Sequence, residues 1–317
     1  MNNIASITEY TYILGDRVIH TPADVIKKYP DLPRSRSWSR EYKLPRHLAE
    51  QCAHKLINRY HIDPDSLDLI LYSTSLADTV NIGFGPYVQK SIGAHRASVL
   101  QIDCSCASLS AQLEVAKALI NAGVHQRILV IAVSHMISRL EQAAQQIPGM
   151  LLGEGATALI VEQGTPNFDI YLEKTGELEL KQAYPERSED HDWHHHGSPL
   201  VFLSNDLTSN RPDKSIWPLI SHALNHLLKK SKITIYQLDY LLCSSPDSSF
   251  LTMLADKLNF PRQQIISSFD HTGDLAQASI GTSLALLSEQ DIVPGQKIAF
   301  IDFSRDGQYL GAGLINY

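Results

Sequence analysis

Cys106 is the side chain in this sequence that is best placed for nucleophilic chemistry. It lies in the segment Ile102–Leu109, between an apolar stretch that predicts a strand over 97–102 and an alanine-rich stretch that predicts a helix over 107–122. The unpaired N–H groups and the positive dipole end at the start of a helix stabilise a thiolate, which is the form that attacks a carbonyl carbon. A cysteine at this position can equally be a small buried hydrophobic residue. The rest of the chain has to decide between these two interpretations.

An internal repeat adds further candidate residues. Segments of the first half of the chain recur in the second half with an offset of 170 or 171 residues. The repeated segments are Leu67–Ser75 with Leu238–Pro246, Arg127–Ser134 with Lys297–Ser304, and Leu48–Tyr60 with Leu219–Ser231. In addition, a predicted helix of small residues precedes each strand of the second pair, Ala107–Ala122 in the first half and Leu275–Ser288 in the second. Matches in one register indicate a duplication, and a duplication constrains the architecture before any single residue is considered.

The strands and helices alternate within each repeat, which predicts two α/β halves with largely parallel, buried sheets. We place the first half at residues 1–165 and the second at residues 166–317, with the poorly patterned stretch 176–210 inserted in the second. Ser244 and Asp274 then occupy the positions of the second half that correspond to the surroundings of Cys106. If the halves pack about a pseudo-two-fold axis, these three residues face one another across the junction. They are the predicted catalytic residues.

Two histidines are auxiliary candidates because either could supply an imidazole to this site. His135 follows the repeated strand that ends at Ser134, and His271 lies three residues before Asp274. The alternative is that each is a structural histidine at a strand end or in a loop, with its ring hydrogen-bonded to the backbone.

The composition is typical of a globular protein, with 317 residues, 44% hydrophobic, 19% charged and a net charge of -7. No long basic run is present, so nucleic acid is not an expected partner. No apolar run reaches the roughly 18 residues that span a bilayer, and the first residues lack signal-peptide features, so we expect a cytoplasmic protein with no membrane segment. The four cysteines do not suggest a disulfide framework. Neither the pair Cys104 and Cys106 nor the tract His191–His196 predicts a metal site.

Four stretches together resemble the thiolase-fold condensing enzymes, and among them the β-ketoacyl-acyl-carrier-protein synthase III type. They are Leu100–Leu109 around the cysteine, the turn and strand Leu152–Leu159, the segment Phe269–Asp274 with Ala278 and Ser279 after it, and the closing Gly311–Leu314. The resemblance implies a thiolase-like α/β fold in which two duplicated α/β halves form a layered αβαβα architecture. It also implies an acyl-cysteine intermediate, no permanently bound cofactor, and a coenzyme A or phosphopantetheine thioester as substrate, with acyl carrier protein as a partner.

The sequence departs from the family at the second half of the expected site. A histidine and an asparagine of the family hold a malonyl thioester and stabilise the enolate that forms when it loses carbon dioxide; here the matching residues are Ser244 and Asp274. The glycine-rich turn that supplies one oxyanion donor reads Ser304–Gly307. The backbone N–H groups of Cys106 and Gly307 are therefore the candidate oxyanion donors.

The coenzyme A clamp of the family, formed by a tryptophan and an arginine, is not recognisable in residues 33–46. A basic and aromatic patch remains there, formed by Arg34, Arg36, Trp38 and Arg40. We take the first three of these as weak candidates for binding the thioester donor. The resemblance also implies a dimer, in which the strand after the nucleophile helix, here 127–134, pairs across a two-fold axis and a loop such as 80–86 enters the pocket of the partner.

Three functions remain open from the sequence. The first is an acyltransferase or condensing enzyme of fatty-acid-derived or polyketide secondary metabolism, in which Asp274 could act as a base for an oxygen or nitrogen nucleophile. The second is a catalytically incomplete subunit that forms a heterodimer with a complete paralogue instead of a homodimer. The third and weakest is a thioesterase in which Ser244 and Asp274 orient water.

Overall fold

The protein is described by a computed structural model over residues 4–40, 44–74, 83–135, 149–174, 183–185, 200–202, 216–244, 247–290, 292–303 and 309–317. The strands of these described residues are β1 Ala5–Leu14, β2 Arg17–His20, β3 Ser35–Trp38, β4 Leu69–Thr74, β5 Ser98–Gln101, β6 Arg127–Ser134, β7 Gly155–Gln163, β8 Phe168–Lys174, β9 Ala183–Pro185, β10 Leu200–Phe202, β11 Tyr240–Cys243, β12 Ile265–Ile266, β13 Lys297–Phe303 and β14 Tyr309–Asn316. The helices are α1 Ala23–Lys28, α2 Pro45–Tyr60, α3 Gly85–Ile92, α4 Ser108–Asn121, α5 Ile216–Lys230, α6 Ser248–Leu258, α7 Phe269–Thr272 and α8 Ser279–Ser288.

Two five-stranded sheets repeat one topology. The first has the order β1-β7-β6-β4-β5, and the second has the corresponding order β8-β14-β13-β11-β12. All strands of the first sheet precede residue 164, and all strands of the second follow residue 167. The two halves of the repeated sequence therefore build matching sheets. The strands β9 and β10, the described parts of the stretch 176–210, pair with each other in a separate antiparallel sheet.

The expectation of largely parallel sheets is wrong in part. Only the pairs of β4 with β5 and with β6 are parallel in the first sheet, whereas β7 pairs antiparallel with both β6 and β1. The second sheet has the same mixture. The parallel strands β4, β5 and β6 are connected through helices α3 and α4, which are the crossovers that parallel neighbours need.

The helices and sheets alternate in five layers. Helices α2 and α3 pack on the outer face of the first sheet, and α5 and α6 on the outer face of the second. Helices α4 and α8 lie between the two sheets, where Leu113, Leu284 and Leu287 share one core with Leu159 and Phe300. This arrangement confirms the αβαβα architecture. A helix in the middle layer is covered on both sides, which is why α4 buries small polar residues as well as leucines.

The N-terminal segment ties the two halves together. The hairpin of β2 and β3 lies against α7, and the Ser35 hydroxyl donates a hydrogen bond to the His271 carbonyl at 3.0 Å. The Ser37 hydroxyl donates to the carbonyl of Glu154 at 2.8 Å and contacts that of Thr272 at 3.3 Å. One strand of the first half therefore fixes the segment of the second half that leads to Asp274.

The prediction that the strand 127–134 pairs across a dimer axis is wrong. Strand β6 is bonded to β4 on one side and to β7 on the other, so neither of its edges is available. The outer strands of the first sheet are β1 and β5, and the residues of β5 are largely exposed. Of the loop 80–86, residues 80–82 lie outside the described residues, and the last two residues belong to α3. Among the described residues, no helix has both the length and the apolar character to cross a membrane.

Candidate active site

A tight turn holds Cys106 just before α4. Ser105 has a φ of 54°, in the left-handed region that residues other than glycine rarely adopt. The Asp103 carboxylate accepts from the Ser105 N–H at 2.9 Å, and the Ser108 hydroxyl bonds to the Ser105 carbonyl at 2.5 Å. Because the N–H and the carbonyl of Ser105 are both hydrogen-bonded, the strained residue is fixed and Cys106 is placed at the entrance to the helix.

Exposure separates Cys106 from the structural cysteines. Cys52 and Cys243 are completely buried, whereas Cys104 and Cys106 are half-buried. Burial raises the pKa of Cys52 to about 12. Burial also raises the pKa of Cys243, and the charge of Asp302 adds to the effect. Thiols with raised pKa values are poor nucleophiles, so the reactive cysteine has to be sought in the turn before α4.

Ser244 lies at the carboxyl end of β11 and is 5% exposed. Its hydroxyl oxygen accepts a hydrogen bond from the N–H of Phe303 at 3.3 Å. Its hydroxyl hydrogen can reach the Ile301 carbonyl, but at 3.5 Å this bond is long for an O–H donor. The Ser244 hydroxyl therefore makes only a weak hydrogen bond as a donor to the Ile301 carbonyl.

Asp274 lies on the segment that enters the short 3-10 turn 276–278, and it is also 5% exposed. Its carboxylate accepts from the N–H of Ala276 at 2.7 Å. Its backbone is bonded to the first half, because its N–H donates to Leu151 at 2.7 Å and its carbonyl accepts from Gly153 at 2.9 Å. This close contact requires glycine at position 153, since a Cβ there would lie 1.9 Å from the Thr272 carbonyl oxygen.

A third acid, Asp302, joins these residues, and the sequence interpretation missed it. It lies within the apolar strand β13 and is 1% exposed. The Ser110 hydroxyl, one helical turn after Cys106, donates to its Oδ2 at 3.3 Å. Burial raises the pKa of Asp302 well above its ordinary value, and the charge of Asp274 adds to this, while hydrogen bonds from Ser244 and Ser110 oppose it.

The structure therefore groups Ser244, Asp274 and Asp302 in the second half and connects them through Ser110 to the helix that Cys106 precedes. A signal for Asp302 does exist in the sequence. A carboxyl in a strand that is otherwise apolar has to be buried, and a buried carboxyl away from cations is a candidate for function.

Two models of one family match the chain. The model described as 3-oxoacyl-[acyl-carrier-protein] synthase III matches residues 100–176, and the model of its C-terminal part matches residues 228–317, which together exceed half of the chain. The chain belongs to the 3-oxoacyl-[acyl-carrier-protein] synthase III family. The first match contains Cys106, and the second contains Ser244, Asp274 and Asp302.

Relatives and solved structures agree with this family. A β-ketoacyl-[acyl-carrier-protein] synthase III of Synechocystis sp. is 24% identical over 272 residues, which cover 84% of this chain and 80% of that protein. The crystal structure of 3-oxoacyl-(acyl carrier protein) synthase III from Pseudomonas aeruginosa has a TM-score of 0.84 at 18% identity and covers 99% of this chain and 98% of that one. The priming β-ketosynthase of a polyketide pathway has a TM-score of 0.82 at 18% identity, over 99% of this chain and 96% of that one. The fold is that of the synthase III enzymes.

The two auxiliary histidines of this synthase III homologue lie in different surroundings. His135 is buried, with its Nδ1 3.7 Å from the Glu154 carboxylate. Its Nε2 is buried without a hydrogen-bond partner among the described residues. The side chain of His271 is exposed on α7, so it is not part of the buried group formed by Ser244, Asp274 and Asp302.

The expected basic patch near the N-terminus is not a surface patch, because its members differ in exposure. Arg34 and Arg40 are exposed, but Arg36 is 4% exposed and Trp38 is half-buried. The Arg36 guanidinium lies 4.9 Å from the centre of the Trp38 ring. Burial lowers the pKa of Arg36 to about 10. Its Nε and Nη1 are buried and have no hydrogen-bond partner within the described residues. The other oxyanion candidate, Gly307, lies outside the described residues.

Proposed function

We propose that this chain is a synthase III-like acyltransferase or condensing enzyme that forms an acyl-enzyme at Cys106. The acyl group comes from a coenzyme A or acyl-carrier-protein thioester and passes to a small acceptor in fatty-acid-derived or polyketide secondary metabolism. The observation that carries the proposal is the turn before α4, in which strained Ser105 presents a half-buried thiol at a helix entrance. The names of the relatives, which are synthases acting with acyl carrier protein, support the class of donor.

The acylation step needs few groups beyond the thiolate. The Cys106 sulfur attacks the thioester carbonyl carbon, and the carbonyl electron pair moves to the oxygen. The backbone N–H groups of Cys106 and Gly307 are the proposed donors to this oxyanion. When the tetrahedral intermediate collapses, the bond to the donor sulfur breaks, and the departing coenzyme A or phosphopantetheine thiolate takes up a proton.

The transfer step depends on the residues that replace the histidine and asparagine of the family. Removal of one donor to an oxyanion typically costs about 3 kcal/mol, or a factor of about 100 to 1000 in rate. Ser244 supplies one donor, whereas an ionised Asp274 would repel an enolate. An ionised Asp274 is suited instead to take a proton from an oxygen or nitrogen acceptor, which favours acyl transfer over decarboxylative condensation.

The second candidate is a catalytically incomplete subunit of a heterodimer. The joint replacement of the histidine and the asparagine favours it, since a subunit that does not turn over substrate needs neither residue. This candidate requires a complete synthase III paralogue as its partner. It also predicts that Cys106 accepts no acyl group when the purified chain is tested alone.

Intact-mass measurement of the purified chain with a series of acyl-coenzyme A thioesters tests both candidates. The enzyme predicts one acyl adduct that Cys106→Ala abolishes. Cys104→Ala is the matched control, because Cys104 is equally half-buried and lies two residues away but precedes the strained turn. It should keep the adduct. No adduct with any donor, together with copurification of a synthase III paralogue, would favour the subunit and exclude the enzyme.

A further inference from the structure

Asp302 is the buried group that the proposed mechanism leaves without a role. Its strand, β13, is otherwise apolar after Lys297, and Asp302 is paired with Gly311 of β14. A Cβ on Gly311 would lie 2.1 Å from the Ser110 hydroxyl, so the glycine leaves the space in which Ser110 reaches the carboxyl. The absence of a side chain at Gly311 therefore leaves room for a hydrogen bond between α4 and β13.

The two oxygens of this carboxyl have different surroundings. Oδ2 accepts from the Ser110 hydroxyl at 3.3 Å. Oδ1 is buried and has no hydrogen-bond partner among the described residues. Ser244 lies beside Asp302 in the sheet, because its N–H donates to the Ile301 carbonyl at 3.1 Å and its hydroxyl oxygen accepts from the Phe303 N–H at 3.3 Å. Oδ1 is therefore an orphaned polar atom next to Ser244, the residue that replaces the histidine of the family.

We propose that Asp302 is the positioning residue for Ser244: its carboxyl, held at Oδ2 by Ser110, donates the proton of Oδ1 to the Ser244 oxygen and turns the Ser244 hydrogen towards the bound thioester. The Ser244 oxygen then accepts from Asp302 and from the Phe303 N–H, which uses both of its lone pairs. Because a protonated Oδ1 no longer accepts from Ser244, the alternative acceptor for the Ser244 hydrogen among the described residues is the Ile301 carbonyl at 3.5 Å. The pair supplies one neutral donor where the family has an imidazole. This role rests on the proposed function.

The electrostatics of the surroundings fit a neutral Asp302. The titratable groups that act on it are Asp274, whose charge disfavours ionisation, and Cys243, whose thiol is buried and neutral. Arg262 acts on Cys243 but does not contribute to Asp302. A carboxylic acid in such a site keeps its proton at neutral pH and can donate a hydrogen bond.

Infrared difference spectroscopy of the free protein tests the protonation and the contact without turnover. At about pH 7 we expect the C=O stretch of a protonated carboxyl, which Asp302→Asn removes. Ser244→Ala and Ser110→Ala should each shift its frequency, because each removes a hydrogen-bond partner. Ser288→Ala, at the far end of α8, is the control and should leave it unchanged. Absence of the band, or a band that Ser244→Ala does not move, overturns the proposal.

A rate measurement with malonyl-coenzyme A separates positioning from a merely structural role. Ser244→Ala and Asp302→Ala should each slow the release of carbon dioxide by about 100-fold, and the double variant should be no slower than either single one. Asp302→Asn, whose amide still donates, should keep the rate; at high pH the wild-type rate should fall as Asp302 ionises, and the rate of the variant should not. Multiplicative losses in the double variant overturn the proposal. If the chain acylates Cys106 but releases no carbon dioxide, the proposed acyl transfer stands and the infrared result decides on Asp302. If the chain does neither, the proposed function fails, and the infrared result alone decides on Asp302.

Discussion

At the scale of single residues, burial divides the four cysteines into two classes: Cys104 and Cys106 are half-buried, and Cys52 and Cys243 are completely buried. With its pKa at about 12, Cys52 has roughly one thiolate in 10,000 at pH 8, and Cys243 is buried to the same degree. We therefore expect iodoacetamide to alkylate the native protein at Cys106 and to leave Cys52 and Cys243 unmodified. Peptide mass mapping measures the three sites, and full reaction after denaturation is the control. Rapid alkylation of Cys52 in the folded protein would contradict the packing of α2 against β7.

The buried Arg36 gives a second prediction for a single residue. A guanidinium that is 4% exposed, with two nitrogens that have no hydrogen-bond partner in the described part of the chain, destabilises the free protein. Arg36→Met keeps the volume and should raise the free energy of unfolding by about 1–3 kcal/mol in urea titrations. The folded pKa, about 10, lies below the unfolded value of 12.5, so the unfolded chain binds more protons between them. Wild-type stability should therefore rise over that pH range, and the variant should not show this rise.

As a candidate for donor binding, Arg36 should also respond to phosphate groups. Coenzyme A should raise the melting temperature of the wild type more than that of Arg36→Met, because the unpaired N–H groups would find an anionic partner. Arg34→Met is the matched control, since Arg34 is exposed on the same segment. A variant at Arg36 that loses stability and binds coenzyme A unchanged would remove Arg36 from the list of donor-binding residues.

The sequence identified Cys106 because the start of a helix is visible as a local pattern. It did not identify Asp302, since the role of this residue depends on Ser110, which is 192 positions away. For the same reason it grouped Arg36 with exposed arginines: the period of a strand shows which residues share a face, but not which element covers that face. Local chemistry was predictable, and contacts between distant segments were not.

At the scale of elements, the turn before α4 has a strained backbone conformation. The left-handed φ of 54° at Ser105 costs about 1–2 kcal/mol for a residue with a Cβ. Ser105→Gly should leave the stability unchanged or raise it by up to about 1 kcal/mol, whereas Ser105→Val should lower it by about 2 kcal/mol. Urea unfolding measures the free energies of unfolding and so tests the predicted order of the glycine variant, the wild type and the valine variant. Ser105→Ala is the control and should have a stability close to that of the wild type. A valine variant as stable as the wild type would mean that Ser105 is not held in this conformation.

Element boundaries were predictable where the pattern ends abruptly. Strand β6 was predicted residue for residue as Arg127–Ser134. The helix predicted from Leu275 is different, because α8 begins only at Ser279 after a 3-10 turn. The delay has a local cause: Ala276 has a φ of 45°, and its N–H is bonded to the Asp274 carboxylate. A side chain that captures a backbone N–H competes with the helix, and this capture is not visible in hydrophobic periodicity.

At the scale of the whole molecule, the duplication was the most informative signal, because it predicted two matching α/β halves. The sequence could not show how the halves touch. Their contacts include backbone bonds between Gly153 and Asp274 and the Gln277 side chain, whose Nε2 donates to the Val133 carbonyl at 2.7 Å. These bonds depend on packing in three dimensions, and no periodic pattern encodes them.

The contact between the halves gives the last prediction. In Gly153→Ala the new Cβ would lie 1.9 Å from the backbone oxygen of Thr272, so the segment that carries Asp274 has to move. We expect the free energy of unfolding to fall by more than about 2 kcal/mol and acyl transfer to slow more than acylation, because Cys106 lies on the other segment. Gly164→Ala is the control, as its Cβ would meet only the Ser6 side chain, at 3.1 Å, and should cost less than about 1 kcal/mol. Urea unfolding and the intact-mass assay measure both effects. Equal stability of the two variants would show that the halves do not meet at Gly153, and the grouping of Asp274 with Ser244 would lose its structural basis.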